Sequence, residues 1–85
     1  MSTTAELEAI TADKVVDARG TACPGPLLEA KKGMTTVALG STIEIWSTDP
    51  GTKTDISAWS AKVGHDFLGV LAADGYDRVF VIRRK

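Results

Sequence analysis

The chain holds one cysteine and one histidine among its 85 residues. A single thiol cannot close an intramolecular disulfide, and small secreted domains usually need several. The cytoplasm is therefore the expected location. One Cys and one His cannot complete a Cys/His structural zinc site from this chain alone. No apolar run approaches the ~20 residues of a membrane span. The first thirteen residues carry Glu6 and Glu8 and lack the basic-then-apolar order of a signal peptide. An excess of positive charge is also missing. Ten Lys and Arg stand against eleven Asp and Glu, a net charge of -1, so no general attraction to nucleic acid is expected. A chain this short makes one domain with a modest core. No cofactor is expected in it.

What is present is an alternation of strand and helix patterns. Residues 1–12 are polar and acidic with little periodicity, and they are expected to form a flexible arm before a single domain at 13–85. Val15 and Val16 mark a short strand over 14–18. Arg19 to Ala22 form a turn. From Leu27 to Ala38, Leu27, Ala30, Met34 and Val37 recur at helical spacing, and Leu39-Gly40 ends the helix. Gly33 inside it costs about 1 kcal/mol of helix propensity against Ala. Ile43 and Ile45 alternate with Glu44 in a half-buried strand over 42–46, which leaves Trp46 on the opposite face.

Asp49-Pro50-Gly51 makes a turn into a second helix. Thr52 and Asp55 are spaced as a capping box, or Pro50 opens the helix behind Asp49. Ile56, Trp59 and Val63 face the core, and Gly64 suits a left-handed stop. Residues 67–73 and 78–83 flank Asp74-Gly75-Tyr76-Asp77 as a hairpin. The order strand, helix, strand, helix, strand, strand implies an α+β fold. It is a two-layer βαβαββ sandwich, with a mixed four-stranded sheet and both helices on one face.

The chemistry concentrates at Cys23-Pro24-Gly25-Pro26. A proline pushes the residue before it into extended backbone, the conformation of an N-cap, and itself suits the first helical position. Pro24 and Pro26 together stiffen a helix start. The N–H groups of Gly25 and Leu27 remain as donors near the sulfur, and the helix dipole favours an anion there. Such a setting lowers a thiol pKa and makes the thiolate available. Pro26 stands where a Cys-x-x-Cys enzyme has its resolving cysteine, so the chemistry open to Cys23 is that of one thiol. It is a persulfide, a mixed disulfide or a reversible cap. The bland alternative is a buried, inert cysteine behind a Pro-rich helix start.

Asp17-Ala18-Arg19-Gly20-Thr21-Ala22-Cys23-Pro24-Gly25-Pro26 resembles the TusA/SirA family, whose signature is Cys-Pro-x-Pro after an Asp-x-x-Gly turn. The resemblance continues through Leu27-Leu28-Glu29-Ala30-Lys31-Lys32 and Gly40. It resumes at Thr48-Asp49-Pro50-Gly51, Asp55-Ile56, Trp59 and Gly64-His65, and so covers about residues 14–85. It implies the βαβαββ sandwich and a sulfur carrier. In such a carrier Cys23 receives persulfide sulfur from a cysteine desulfurase or rhodanese and relays it to an acceptor protein. Catalysis would be of the sulfurtransferase type, with the chain acting as carrier rather than as a free-standing enzyme. Pro24, Gly25 and Pro26 would support the motif. Gly33 and Leu39 depart from the family pattern, at places where a better helix former and a proline are usual.

Other residues divide between roles. Arg19 and Lys31 are candidates for contact with a persulfide anion or a partner, against the plainer reading of solvated charges. Asp17 is expected to fix the turn through backbone N–H groups. His65 fits a helix end better than a base for the thiol. Trp59 reads as core, and Trp46 as an exposed docking residue or a partly covered one. Two further functions remain open, an RNA-binding module and a redox-regulatory interaction module. Arg78, Arg83, Arg84 and Lys85 are the best support for RNA binding, although no basic stripe with interleaved aromatics accompanies them.

Overall fold

The computed structural model describes residues 4–22 and 25–85. Its elements are α1 (Thr4–Glu8), β1 (Lys14–Asp17), α2 (Gly25–Met34), β2 (Thr42–Ser47), α3 (Thr52–Val63), β3 (Asp66–Ala73) and β4 (Tyr76–Ile82). The strands form one sheet in the order β1-β2-β4-β3. β1 and β2 are parallel across the α2 crossover, whereas β2 pairs antiparallel with β4, and β4 with β3. The sheet is therefore mixed, and α2 and α3 share one face of it. Their core joins Val16, Ala30, Met34, Ile43, Ile45, Ile56, Val79 and Val81, with Leu27, Trp59, Phe67 and Val70 packed around it.

Two glycines shape this layer. Gly64 closes α3 with φ 91°, and its N–H reaches the Ser60 carbonyl at 2.9 Å. Only a residue without a Cβ takes that left-handed backbone freely. Gly33 is buried in α2, and a Cβ there would meet Val16 Cγ2 at 2.7 Å. The propensity that Gly33 gives up is thus exchanged for a close approach of α2 to β1.

Two expectations are corrected. Residues 1–12 read as a patternless arm, yet Thr4–Glu8 form a turn of helix, and Leu7 is only 2% exposed. Leu7 packs with Leu71 and Phe80, backed by Ile10 and Leu68, on the sheet face away from α2 and α3. One leucine and one isoleucine are too few for a helical period to be visible in the sequence, but they suffice to cover a small apolar patch. The second correction concerns the start of α3. Its N-cap is Gly51, with no side-chain cap. Thr52 is buried instead, and its hydroxyl lies 2.7 Å from that of Ser47.

Candidate functional site

The described part of the loop between β1 and α2, residues 18–22, is anchored at successive positions. The Ala18 N–H donates to the Trp46 carbonyl at 2.9 Å, extending the strand pairing, and Thr21 N–H reaches back to the Ala18 carbonyl at 3.3 Å. Gly20 turns the chain with φ 81°, and its N–H donates to Thr48 Oγ1 at 2.9 Å. The loop is thereby tied to the start of the β2–α3 connection. Asp17 acts as expected, accepting the Arg19 N–H at 3.2 Å.

Cys23 and Pro24, the centre of the motif, lie outside the described residues. On their far side the chain resumes at Gly25, which opens α2, followed by buried Pro26. A Cβ at Gly25 would fall 2.1 Å from Thr21 Cγ2, so the motif position between the two prolines has no room for a side chain unless Thr21 moves. One expectation changes here. The Gly25 N–H donates to the Ala22 carbonyl at 2.9 Å and is not free to face an anion. This bond has taken the donor that the helix start would otherwise present.

Arg19 and Lys31, paired in the sequence reading, are not brought together. Lys31 is exposed on α2, beside a shallow groove of about 220 Å³ that it shares with Met34, Trp59, His65, Arg83 and Lys85. Arg19 lies against the other face of the sheet. Its Nε donates to Asp17 Oδ1 at 2.9 Å and its Nη2 to Oδ2 at 2.8 Å. Its guanidinium carbon sits 4.8 Å from the Trp46 ring centroid and 5.0 Å from that of Tyr76. The hydrogen bonds from Arg19 hold the Asp17 carboxyl below its ordinary range, and those same bonds raise Arg19. Both side chains are open to water, so this pair contributes mainly geometry.

Trp46 is half-buried, and its ring lies 5.4 Å from that of Tyr76 with the two planes tilted by 47°. Its indole N–H donates to Glu44 Oε2. Glu44 is the residue that sequence reasoning missed. Alternation put it outward, which is correct, but outward here is the face beneath α1 and Arg78, and Glu44 is only 4% exposed. Arg78 Nε donates to its Oε2 at 2.8 Å and Nη2 to its Oε1 at 3.3 Å. Burial alone pushes the Glu44 carboxyl up, but hydrogen bonds from Arg78 and Trp46, with the Arg78 charge, outweigh it and leave the pKa lowered. The pairing could be found only from the register, in which Arg78 stands opposite Trp46 and diagonal to Glu44.

Arg83 and Arg84, near the C-terminus, are engaged within the chain. Arg83 Nη1 donates to the Met34 and Val37 carbonyls at 3.1 and 2.6 Å, and Arg84 pairs with Asp66 at 2.6 Å. The tail that best supported RNA binding therefore braces the fold. His65 likewise has a structural place. Its Nδ1 accepts the Arg84 N–H at 3.1 Å, its ring meets Trp59 edge-on at 5.2 Å, and burial with the Arg83 charge lowers its pKa.

The second loop, Thr48 to Gly51, is self-supporting, with Asp49 Oδ1 accepting the Gly51 N–H at 2.8 Å. Together with Gly20, Thr21 and Ala22 it lines a shallow groove of about 320 Å³. Among the described residues no group of His, Cys, Asp or Glu is placed to hold a metal, and no helix is long and apolar enough to cross a membrane.

Comparison with known proteins agrees with this architecture. The family model of sulfurtransferase TusA matches residues 14–84. A putative sulfur carrier protein of Archaeoglobus fulgidus is 41% identical over 71 residues, 84% of this chain and 97% of the relative. The putative sulfur carrier protein YrkI of Bacillus subtilis is 48% identical over 56 residues, 66% of this chain and 75% of the relative. The crystal structure of a SirA-like protein from Desulfitobacterium hafniense superposes with a TM-score of 0.74, covering 85% of this chain and 99% of the other at 20% identity. That likeness shows the fold.

Proposed function

Starting from a chain that belongs to the TusA family, we propose that it is a sulfur carrier whose working atom is the sulfur of Cys23. The observation that carries this reading is the motif Cys23-Pro24-Gly25-Pro26, the only place in the 85 residues where a thiol occurs. It stands at the junction of a well-anchored loop and the start of α2. The reaction follows from one-thiol chemistry. The Cys23 thiolate attacks the terminal sulfur of a donor persulfide. A new S–S bond forms to Cys23, the donor's S–S bond breaks, and the donor cysteine leaves as a thiolate with the electron pair. No oxidant is consumed. The reverse geometry, with an acceptor nucleophile on the terminal sulfur of Cys23, completes the relay.

A cysteine desulfurase or rhodanese is the class of donor, and a protein with its own nucleophile is the acceptor. In this reading the relay runs in the reducing cytoplasm, where the thiol stays free. Both partners must approach the same sulfur, so they share the surface around the β1–α2 loop, through weak and small contacts. Exposed Leu28, Glu29 and Lys31 on α2 belong to that surface. The test is intact mass after incubation with a cysteine desulfurase and cysteine. A gain of one sulfur that reductant removes, absent from Cys23→Ala, is expected. Loading of the Cys23→Ala chain would refute the assignment.

A further inference from the structure

The loop that delivers Cys23 is held from two sides, and the anchor on the sheet side is a single guanidinium. Arg19 is planar and meets two flat rings, Trp46 of β2 and Tyr76 of β4, at 4.8 and 5.0 Å. Its other hydrogen-bonding edge is taken by both oxygens of Asp17, at 2.9 and 2.8 Å. Trp46 is itself oriented through its indole N–H on buried Glu44, which Arg78 pins. One residue further along, the Gly20 N–H is fastened to Thr48 Oγ1 at 2.9 Å. We propose that Arg19 is a positioning residue for Cys23, fixing the loop by its planar fork against Asp17, Trp46 and Tyr76, and not a charge that acts on the sulfur.

The geometry favours this role over a direct electrostatic one. The positive charge is already offset by a bidentate carboxylate, which leaves little net field for a second anion. Shape is the property that a lysine at this place would lack. An ammonium cannot fork onto a carboxylate, and it meets an aromatic ring as a compact point charge without a planar face. The proposal rests on Cys23 being the working residue, but its test needs no sulfur donor, so a chain that failed to load sulfur would still report on the loop.

The experiment is the pH dependence of iodoacetamide alkylation of Cys23 in the full chain, for Arg19→Lys, Arg19→Gln, Asp17→Asn and Thr48→Val. A loosened loop loses alignment with the start of α2. All four variants are then expected to raise the alkylation midpoint together, by about half a pH unit, the size that a helix terminus supplies. Asp17→Asn decides by sign. It raises the midpoint if Asp17 is half of a clamp, and lowers it if Asp17 merely masks a cation acting on the sulfur. A lowered midpoint in Asp17→Asn, or a parental midpoint in Arg19→Lys beside a raised one in Arg19→Gln, would overturn the proposal in favour of a charge effect. Parental midpoints in all four would overturn it outright. Asp17, Arg19 and Thr48 are all exposed, so the variants leave the core untouched.

Discussion

The two faces of the sheet solve different problems. The face under α2 and α3 is continuous and apolar, with Ile43, Ile45, Ile56, Val79 and Val81 fully buried. The other face is divided. Toward β3 it is apolar and closed by one turn of helix, α1, through Leu7 on Leu71 and Phe80. Toward β1 it is polar and aromatic, with Glu44, Arg78, Trp46, Tyr76 and Arg19 in one connected chain of contacts. The α1 turn precedes the segment, residues 14–84, that matches the family model. The first face therefore makes the fold, and the second orients the loop that leads to Cys23.

The sharpest way to test that division is to remove volume from the first face. Ile45→Ala leaves a cavity in a core closed on both sides, and a loss of about 2–5 kcal/mol in urea unfolding is expected. Gly33→Ala attacks the same face by overpacking against Val16. It is expected to cost about 1–3 kcal/mol even though alanine is the better helix former.

On the second face the largest effect should come from stranding a charge. Arg78→Met leaves the buried Glu44 carboxylate with only the Trp46 donor, and a cost of roughly 2–3 kcal/mol is expected, held below that of a fully buried pair because Arg78 is 29% exposed at its side chain. Adding Glu44→Leu should recover part of this loss, because the stranded charge disappears. The same residue gives a pH signature. Its folded pKa is lowered, so its contribution is complete above the ordinary carboxylate value of 4.5 and is lost as pH falls through the depressed folded value. Denaturation midpoints measured below that pH should fall more steeply in the parent than in Glu44→Gln.

Leu7→Ala should cost less, about 1–2 kcal/mol, because a single helical turn can undock and the loss is capped by the burial of one leucine. His65 gives the smallest effect. Its pKa is lowered, so its stabilisation is complete above 6.5 and declines as pH drops toward the folded value. His65→Gln should flatten the stability profile just below pH 6.5.

The same contrast explains what could be read in the sequence. The first face follows from periodicity, since Ile43, Ile45 and Ile56 fall at strand and helix spacing and dictate the βαβαββ order and the side on which the helices lie. The stop at Gly64 and the motif at Cys23 were equally visible, because they are local. The contacts of Glu44, Arg78 and Arg19 across the sheet were not. Their partners lie 34 residues apart for Glu44 and Arg78, and are set by the register of β2 on β4, which no local pattern encodes. Gly25 shows the same limit on a shorter scale. Its N–H looked available at a helix start, but the loop geometry gives it to Ala22.

The central claim is that Cys23 carries transferable sulfur, and nominal mass alone leaves one ambiguity, because two oxygens weigh nearly as much as one sulfur. Cyanide separates them. It takes the terminal sulfur of a persulfide as thiocyanate and regenerates the Cys23 thiolate, whereas a sulfinic acid does not react in this way. The account predicts one thiocyanate per loaded chain and return of the chain to its unmodified mass. A loaded mass that survives cyanide, with no thiocyanate released, would contradict it.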